Sequence, residues 1–255
     1  VLDSGIDYRR KEFQREDGST RIRFLWDQTL VSQNGQAPPR GFRTGVEFSE
    51  AEINRAIQAD EREGFALIPS RDVSGHGTAV AGIAAAGDVS MEGGGIYRGI
   101  APESELLIVK LGMPMEGGFP KTTEIMRAVT YAVRKGIELR RPVVINLSFG
   151  NSYGSHDGSS FSERFLDNAA EIGRTVVCVG AGNEGDSAGH YTGLVREIQV
   201  VELAVGEYER SLSLQLWKQY SDVFEIRLQA PNQEEVVLTN LVNAGKQVLV
   251  LSNTR

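Results

Sequence analysis

The sequence predicts an α/β fold of three layers, a parallel sheet flanked by helices, followed by the start of an antiparallel β-rich segment. Two patterns carry the first part. Runs such as "ELLIVKLG", "PVVINLSFG" and "TVVCVG" are apolar on both faces, and they alternate with stretches of helical period. Strands of that kind belong inside a sheet covered on both sides. A third pattern carries the second part. After Leu194 come "REIQVVELAV", "RSLSLQLWK", "DVFEIRLQA", "EEVVLTN" and "QVLVLSN", with no helical segment between them. Short alternating strands separated by turns read as a sandwich, jelly-roll-like. The domain boundary is therefore placed between residues 193 and 194, giving domains 1–193 and 194–255.

The elements follow in order. "VLDSGID" reads as a buried strand with Asp3 at its exit, and "TRIRFLWDQTL" as a short surface strand or hairpin arm. Ser49 and Glu52 form a capping box, with Phe48 and Ile53 as a hydrophobic staple, opening a helix that ends at Gly64. The stretch "SGHGTAVAGIAAAG" gives a small-residue helix from His76 to Gly87. Thr122 or Thr123 caps the next helix, whose buried stripe is Ile125, Val129, Ala132 and Val133, with Gly136 as its C′ residue. "FSERFLDNAAEIG" is a further helix between two strands, and the charges in "DEREG" read as a solvated helix end.

The chain has 255 residues with a formal net charge of −7 and both signs dispersed. That length buries a sizeable core. The charge argues against nucleic acid or an anionic membrane as partner. No apolar run reaches membrane-spanning length. The single cysteine, Cys178, forms no disulfide within the chain and is expected in the core, inside an apolar strand. The start at Val1 and the stop after "VLVLSNTR" read as the ends of a processed or truncated piece.

Three strand exits carry polar residues among glycines: Asp3, Ser148 to Gly150, and Asn183. His76, one of three histidines, starts a helix between two glycines. Ligands gather at the carboxyl edge of such sheets, so with the histidine helix packed under that edge these four positions converge on a candidate site. A carboxylate fixes an imidazole's tautomer and stabilises its protonated form. The flanking glycines leave room for a substrate backbone, and an asparagine amide can donate to a developing oxyanion. Taken singly, Asp3 is a turn aspartate, His76 a cap or core histidine, and Asn183 a loop residue. His156 and His190 read as solvent-facing, and Trp217 with its leucines as sandwich core.

"VLDSGID", "GHGTAVAGI", "GIAPESELLIVKLG", "VINLSFG" and "VGAGNEG" together resemble the subtilisin-like serine proteases, the subtilases, in order and spacing over Val1 to Gly189. "RIRFLWDQT" and the β-rich tail are similar to bacterial, including clostridial, members with a β-sandwich inserted before the catalytic serine. The resemblance implies a subtilisin-like fold and peptide hydrolysis. It makes Asp3 and His76 triad members and Asn183 the side-chain donor of the oxyanion hole. It makes Ser148, Phe149 and Gly150 one wall of the substrate cleft, and Gly180, Ala181 and Gly182 the other. The backbone after Leu111 and Gly112, near Gly117 and Gly118, would hold the far side of an extended polypeptide substrate.

The family order is Asp, His, Ser, and the serine segment, of "GTSMA" type, is missing. The serines of "GST" at Gly18, "DGSSFSE" and "YSDVF" have the wrong context. The serine is expected beyond Arg255, and this chain alone is expected to be incomplete and inactive. A second chain supplying the serine, or a catalytically dead scaffold that binds or signals, are the alternatives. The resemblance also implies a propeptide as partner and a secreted, cell-envelope or spore-associated location. No cofactor is required. Many subtilases bind calcium after the histidine helix, but "GDVSMEGGGIYRG" offers only Asp88 and Glu92 and lacks the usual asparagines.

Overall fold

The computed structural model describes residues 1–33, 35–90, 94–112, 120–150, 153–208, 212–231 and 233–238. The chain divides into two compact units, Val1–Ala204 and Val205–Arg255. In the first unit the order is β1 (Leu2–Asp3), β2 (Ile22–Asp27), β3 (Val46–Ser49), α1 (Glu50–Gln58), α2 (Glu61–Leu67) and α3 (His76–Ala85). Then come β4 (Val89–Ser90), β5 (Ile96–Tyr97), β6 (Leu106–Lys110), α4 (Thr122–Leu139), β7 (Val143–Leu147), α5 (Phe161–Glu171) and β8 (Thr175–Val179). The second unit holds an antiparallel pair, β9 (Ile226–Gln229) and β10 (Glu235–Leu238).

One sheet runs in the order β3-β2-β6-β1-β7-β8, and a β4–β5 ladder stands apart. Every neighbouring pair in the large sheet is parallel except β2 with β3. On one face Leu2, Trp26, Val109, Ile145 and Leu147 pack against Ala128, Val129, Ala132 and Val133 of α4 and Ala169 of α5. On the other, Leu25, Phe48 and Ile108 pack with Ile53 of α1 and Ala81 and Ala85 of α3. These are the three layers that the doubly apolar strands require. Among the described residues no helix is long and apolar enough to cross a membrane.

Several local expectations are corrected. "TRIRFLWDQTL" does not lie at the surface: β2 pairs antiparallel with the next strand β3, as a hairpin arm does, but sits inside the sheet between β3 and β6, with Trp26 and Asp27 fully buried. Arg21, at its head, is buried because its guanidinium donates to the carbonyls of Ser104, Glu12 and Ala85. The Ser49 capping box forms, with Glu52 accepting from the Ser49 amide at 2.8 Å, but the helix breaks before Gly64. Asp60 caps α2 instead, accepting from the Glu63 amide at 2.8 Å, and Gly64 is buried inside that helix. A Cβ on Gly64 would come within 2.5 Å of the Ala56 carbonyl, so this glycine lets α2 approach α1.

The N-cap of α4 is Lys121 rather than Thr122 or Thr123, because the Glu124 carboxylate accepts from the Lys121 amide at 2.8 Å. Gly136 lies within the helix, which ends at Arg140 in the left-handed region. A Cβ there would sit 2.2 Å from Val143 Cγ2, so Gly136 serves the approach of α4 to β7. Cys178 is exposed, because β8 is the outer strand of the sheet and no described helix covers that face. Of the five stretches read as strands after residue 193, "DVFEIRLQA" and "EEVVLTN" carry β9 and β10, and "QVLVLSN" lies outside the described residues. The other two form no strand among their described residues. Without a partner ladder their leucines, and Trp217, stay exposed.

Candidate active site

The strands after β1 build outward in opposite directions. β2 and β6 lie on one side of β1, and β7 and β8 on the other. β1 is therefore the place where the connections diverge, and such a switch point opens a crevice at the carboxyl edge. Asp3 ends β1 at that edge. Its register partners place it beside Lys110, and Leu2 pairs with Leu147 on the other flank.

Asp3 is 1% exposed, and its Oδ1 accepts from the Ser4 amide at 2.7 Å. His76 is the first residue of α3, and its Nδ1 lies 2.6 Å from the same Asp3 oxygen. The imidazole is 51% exposed. With Nδ1–H donated to the carboxylate, Nε2 carries the lone pair on the open side of the ring. Asp3 Oδ2 is buried with no hydrogen-bond partner among the described residues.

Two glycines make this contact geometrically accessible. Gly75, the N-cap of α3, has φ +75°, a region that glycine enters without strain. A Cβ on Gly77 would lie 2.3 Å from the Gly5 carbonyl and 3.1 Å from Asp3 Cβ. The helix start therefore lies directly against the loop leaving β1.

Asp72 is a functional candidate that the motif reading missed. Its carboxylate accepts from Ser4 Oγ at 2.8 Å, the Gly75 amide at 3.0 Å, the Thr78 amide at 2.8 Å and Thr78 Oγ1 at 2.6 Å. Burial opposes its charge, and the hydrogen bonds from Thr78, Ser4 and Gly75 outweigh burial, holding the carboxyl below its ordinary value. The signal in the sequence was Gly75 itself: a glycine has no side chain with which to cap α3, so an upstream acceptor has to do so.

The remaining candidates leave the sheet at the same edge. Leu147 pairs with Val179, and the Gly180 amide donates to the Leu147 carbonyl at 3.1 Å. Ser148 and Gly180 are thus neighbours, one residue beyond β7 and β8. Ser148 Oγ accepts from Asn146 Nδ2 at 2.9 Å, Phe149 packs onto the α4–α5 side of the sheet, and Gly150 is exposed. Gly180, Ala181 and Gly182 are exposed, and Gly182 has φ +93°. Asn183 follows, with its side chain exposed and no hydrogen bond to Asp3 or His76. The structure thus joins Asp3 and His76 directly, and brings the other exits to the same edge without contact to that pair. The Gly112 amide is held by Gln28 Oε1 at 3.0 Å. Gly117 and Gly118 lie outside the described residues.

Of the two candidate calcium ligands, Asp88 is paired with Arg98 at 2.9 Å, and Glu92 lies outside the described residues. No cluster of three metal-ligating side chains occurs among the described residues.

The chain is similar to known proteins. The major intracellular serine protease of Bacillus subtilis (strain 168) is 41% identical over 115 residues, covering 45% of this chain and 31% of that protein. A thermophilic serine proteinase of Bacillus sp. (strain AK1) is 27% identical over 218 residues, covering 83% of this chain and 48% of the relative. The structure of the Clostridium perfringens CspB protease superposes with a TM-score of 0.60 at 32% identity, covering 74% of this chain and 36% of that one. The chain thus spans about a third to a half of the length of these relatives. The subtilase family (peptidase S8) matches residues 1–249, and with a mostly parallel, helix-flanked sheet carrying an aspartate–histidine pair at its switch point, the chain belongs to the subtilase family.

Proposed function

We propose that the full-length protein is a serine endopeptidase in which His76 is general base and acid, Asp3 orients it, and Asn183 donates to the oxyanion. The observation that carries this is the 2.6 Å contact between a buried carboxylate and a half-exposed imidazole. The nucleophile is a serine outside residues 1–255. Its Oγ attacks the scissile carbonyl carbon while His76 Nε2 takes the hydroxyl proton. The tetrahedral oxyanion forms against Asn183. Collapse breaks the C–N bond, and the proton passes from His76 to the departing amine. Water, deprotonated by His76, then attacks the acyl-enzyme ester, and the acid product leaves as the proton returns to serine.

The substrate is an extended polypeptide, added as a strand beside Ser148–Gly150 with the backbone after Leu111 and Gly112 on its far side, and with Gly180–Gly182 as the opposite wall of the pocket for its side chain. Exposed Gly150 at the exit of β7 and exposed Gly180–Gly182 at the exit of β8 support that placement. A metal has no role in the steps proposed. Residues 194–255 are proposed as part of an inserted β-rich domain, which the antiparallel β9–β10 pair supports.

Fluorophosphonate labelling of the full-length protein, followed by peptide mapping, tests this. The expected result is one adduct, on a serine beyond Arg255 in a "GTS"-type context, lost when His76 is changed to alanine. A folded full-length protein that takes no adduct overturns the protease reading in favour of a scaffold that binds without cleaving.

A further inference from the structure

The amides opening α3 need acceptors, and Gly75 has no side chain to supply one. Asp72, four residues before His76, takes the Gly75 and Thr78 amides. A helix cap requires no more than that. The same carboxylate, however, also accepts from Ser4 Oγ at 2.8 Å, across 68 residues of chain. Ser4 Oγ in turn accepts from the Gly77 amide at 2.9 Å, and the Ser4 amide donates to Asp3 Oδ1 at 2.7 Å. Thr78 Oγ1 donates to Asp72 and accepts from the Asp7 amide at 2.9 Å. Ser74 Oγ closes the ring by donating to Ser4 Oγ at 2.9 Å.

Asp3 and His76 are embedded in this network. Asp3 precedes Ser4, and His76 lies between Gly75 and Gly77. Among the described residues, Asp3 is the hydrogen-bond partner that holds the half-exposed imidazole ring. Its position therefore depends on how the first turn of α3 is registered against the β1 exit loop. Asp72 and Ser4 set that registration.

We propose that Asp72 is a positioning residue for the Asp3–His76 pair, acting through Ser4 and the first amides of α3. The proposal rests on the protease reading above. Ser4→Ala removes the cross-link and the acceptor of the Gly77 amide but leaves Asp72 on the Gly75 and Thr78 amides, so it breaks the registration with a smaller loss of helix capping than Asp72→Ala. Asp72→Ala removes both.

The test uses the full-length protein as wild type, Ser4→Ala, Asp72→Ala, Asp72→Asn and the Ser4→Ala/Asp72→Ala double variant. Four quantities are read: kcat and KM on a peptide substrate, Tm, and the Nδ1 proton resonance of ¹⁵N-labelled His76. Asp72→Ala is expected to lower kcat by about tenfold to a hundredfold, the cost of a slight misplacement of a reacting group, with KM within about twofold. Ser4→Ala lowers kcat in the same direction with a smaller loss of Tm than Asp72→Ala, since only the Gly77 amide loses its acceptor. The double variant falls no further than Asp72→Ala, because the two residues share one path. Asp72→Asn recovers part of kcat, since its amide oxygen still serves one side of the network. Wild-type kcat in Ser4→Ala overturns the proposal, as does an Asp72→Ala variant that loses Tm alone. If Asp72→Ala does not fold, Ser4→Ala decides. A wild type that takes no adduct and cleaves nothing fails the protease reading. In that case the His76 resonance still tests positioning: a shift in Ser4→Ala supports it, and an unmoved signal overturns it.

Discussion

His76 Nδ1 stands 2.6 Å from Asp3 Oδ1, although 73 residues of chain separate them. That one oxygen also accepts the Ser4 amide, while Oδ2 is buried with no hydrogen-bond partner among the described residues. Asparagine at position 3 could keep its oxygen toward both donors and place its NH2 where Oδ2 now lies. The geometry would survive and the charge would go. Asp3→Asn is therefore expected to lower kcat by about 10⁴-fold, the order found when the triad aspartate is removed in subtilisin, with the fold retained. Steady-state kinetics with circular dichroism checks this. Activity within tenfold of wild type would remove Asp3 from the mechanism.

The same contact depends on a missing methyl group. A Cβ on Gly77 would lie 2.3 Å from the Gly5 carbonyl, a backbone atom that cannot move aside as a flexible side chain can. Gly77→Ala has to push the start of α3 away from the β1 exit loop. The expected cost is about 1–3 kcal/mol of stability, as for other overpacked sites, together with a loss of fluorophosphonate labelling. Denaturant unfolding and labelling rate are measured on the same sample. An alanine variant with unchanged midpoint and labelling would mean that α3 does not press on this loop.

The legible parts of the fold were those with one physical solution. β6 reads correctly because a run apolar on both faces fits a covered sheet, and β7 and β8 form the strands expected, although Val144, Val176 and Cys178 are exposed on the face that no described helix covers. β2 was misread because Arg21 and Arg23 made "TRIRFLWDQTL" look solvated. The structure buries Arg21 by giving its guanidinium three carbonyls, a pairing between residues 9 to 83 positions apart that no local pattern contains. Gly136 was misread for a related reason. Glycine ends helices and also admits close neighbours, and only the tertiary position of Val143 decides between them. In the site, Asp3 stands out as the polar exit of an apolar strand just before Gly5, and His76 because glycines flank it. Asp72 did not, because its partners are split between its own segment and Ser4.

Asn183 is exposed at the exit of β8 beyond Gly182, so its replacement should disturb packing little. Asn183→Leu removes the amide N–H while keeping similar bulk. If that group meets the oxyanion, kcat falls by about 10²–10³-fold, or about 2.7–4 kcal/mol, a range that comes from subtilisin's own oxyanion asparagine. KM should scarcely change, because the bond strengthens only as negative charge develops. The measurement is kcat and KM on one peptide substrate at fixed pH. A raised KM with kcat unchanged would make Asn183 a substrate-binding residue instead.

Asp72 gives a pH-dependent signature separate from its effect on rate. Burial opposes its charge, yet hydrogen bonds from Thr78, Ser4 and Gly75 hold its folded pKa below the ordinary 3.8. A carboxyl depressed on folding stabilises the native state fully above its unfolded value, and that contribution is lost as pH falls through the folded value. The stability gap between wild type and Asp72→Ala should therefore stay constant from neutral pH to about pH 5. It should then narrow below 3.8, as protonation dismantles the network in wild type while the alanine variant has none to lose. Urea unfolding of both proteins across that range measures the gap. A gap that closed between pH 7 and pH 5 would have the wrong position for a depressed carboxyl, and would place the titrating group elsewhere than in the Asp72 network.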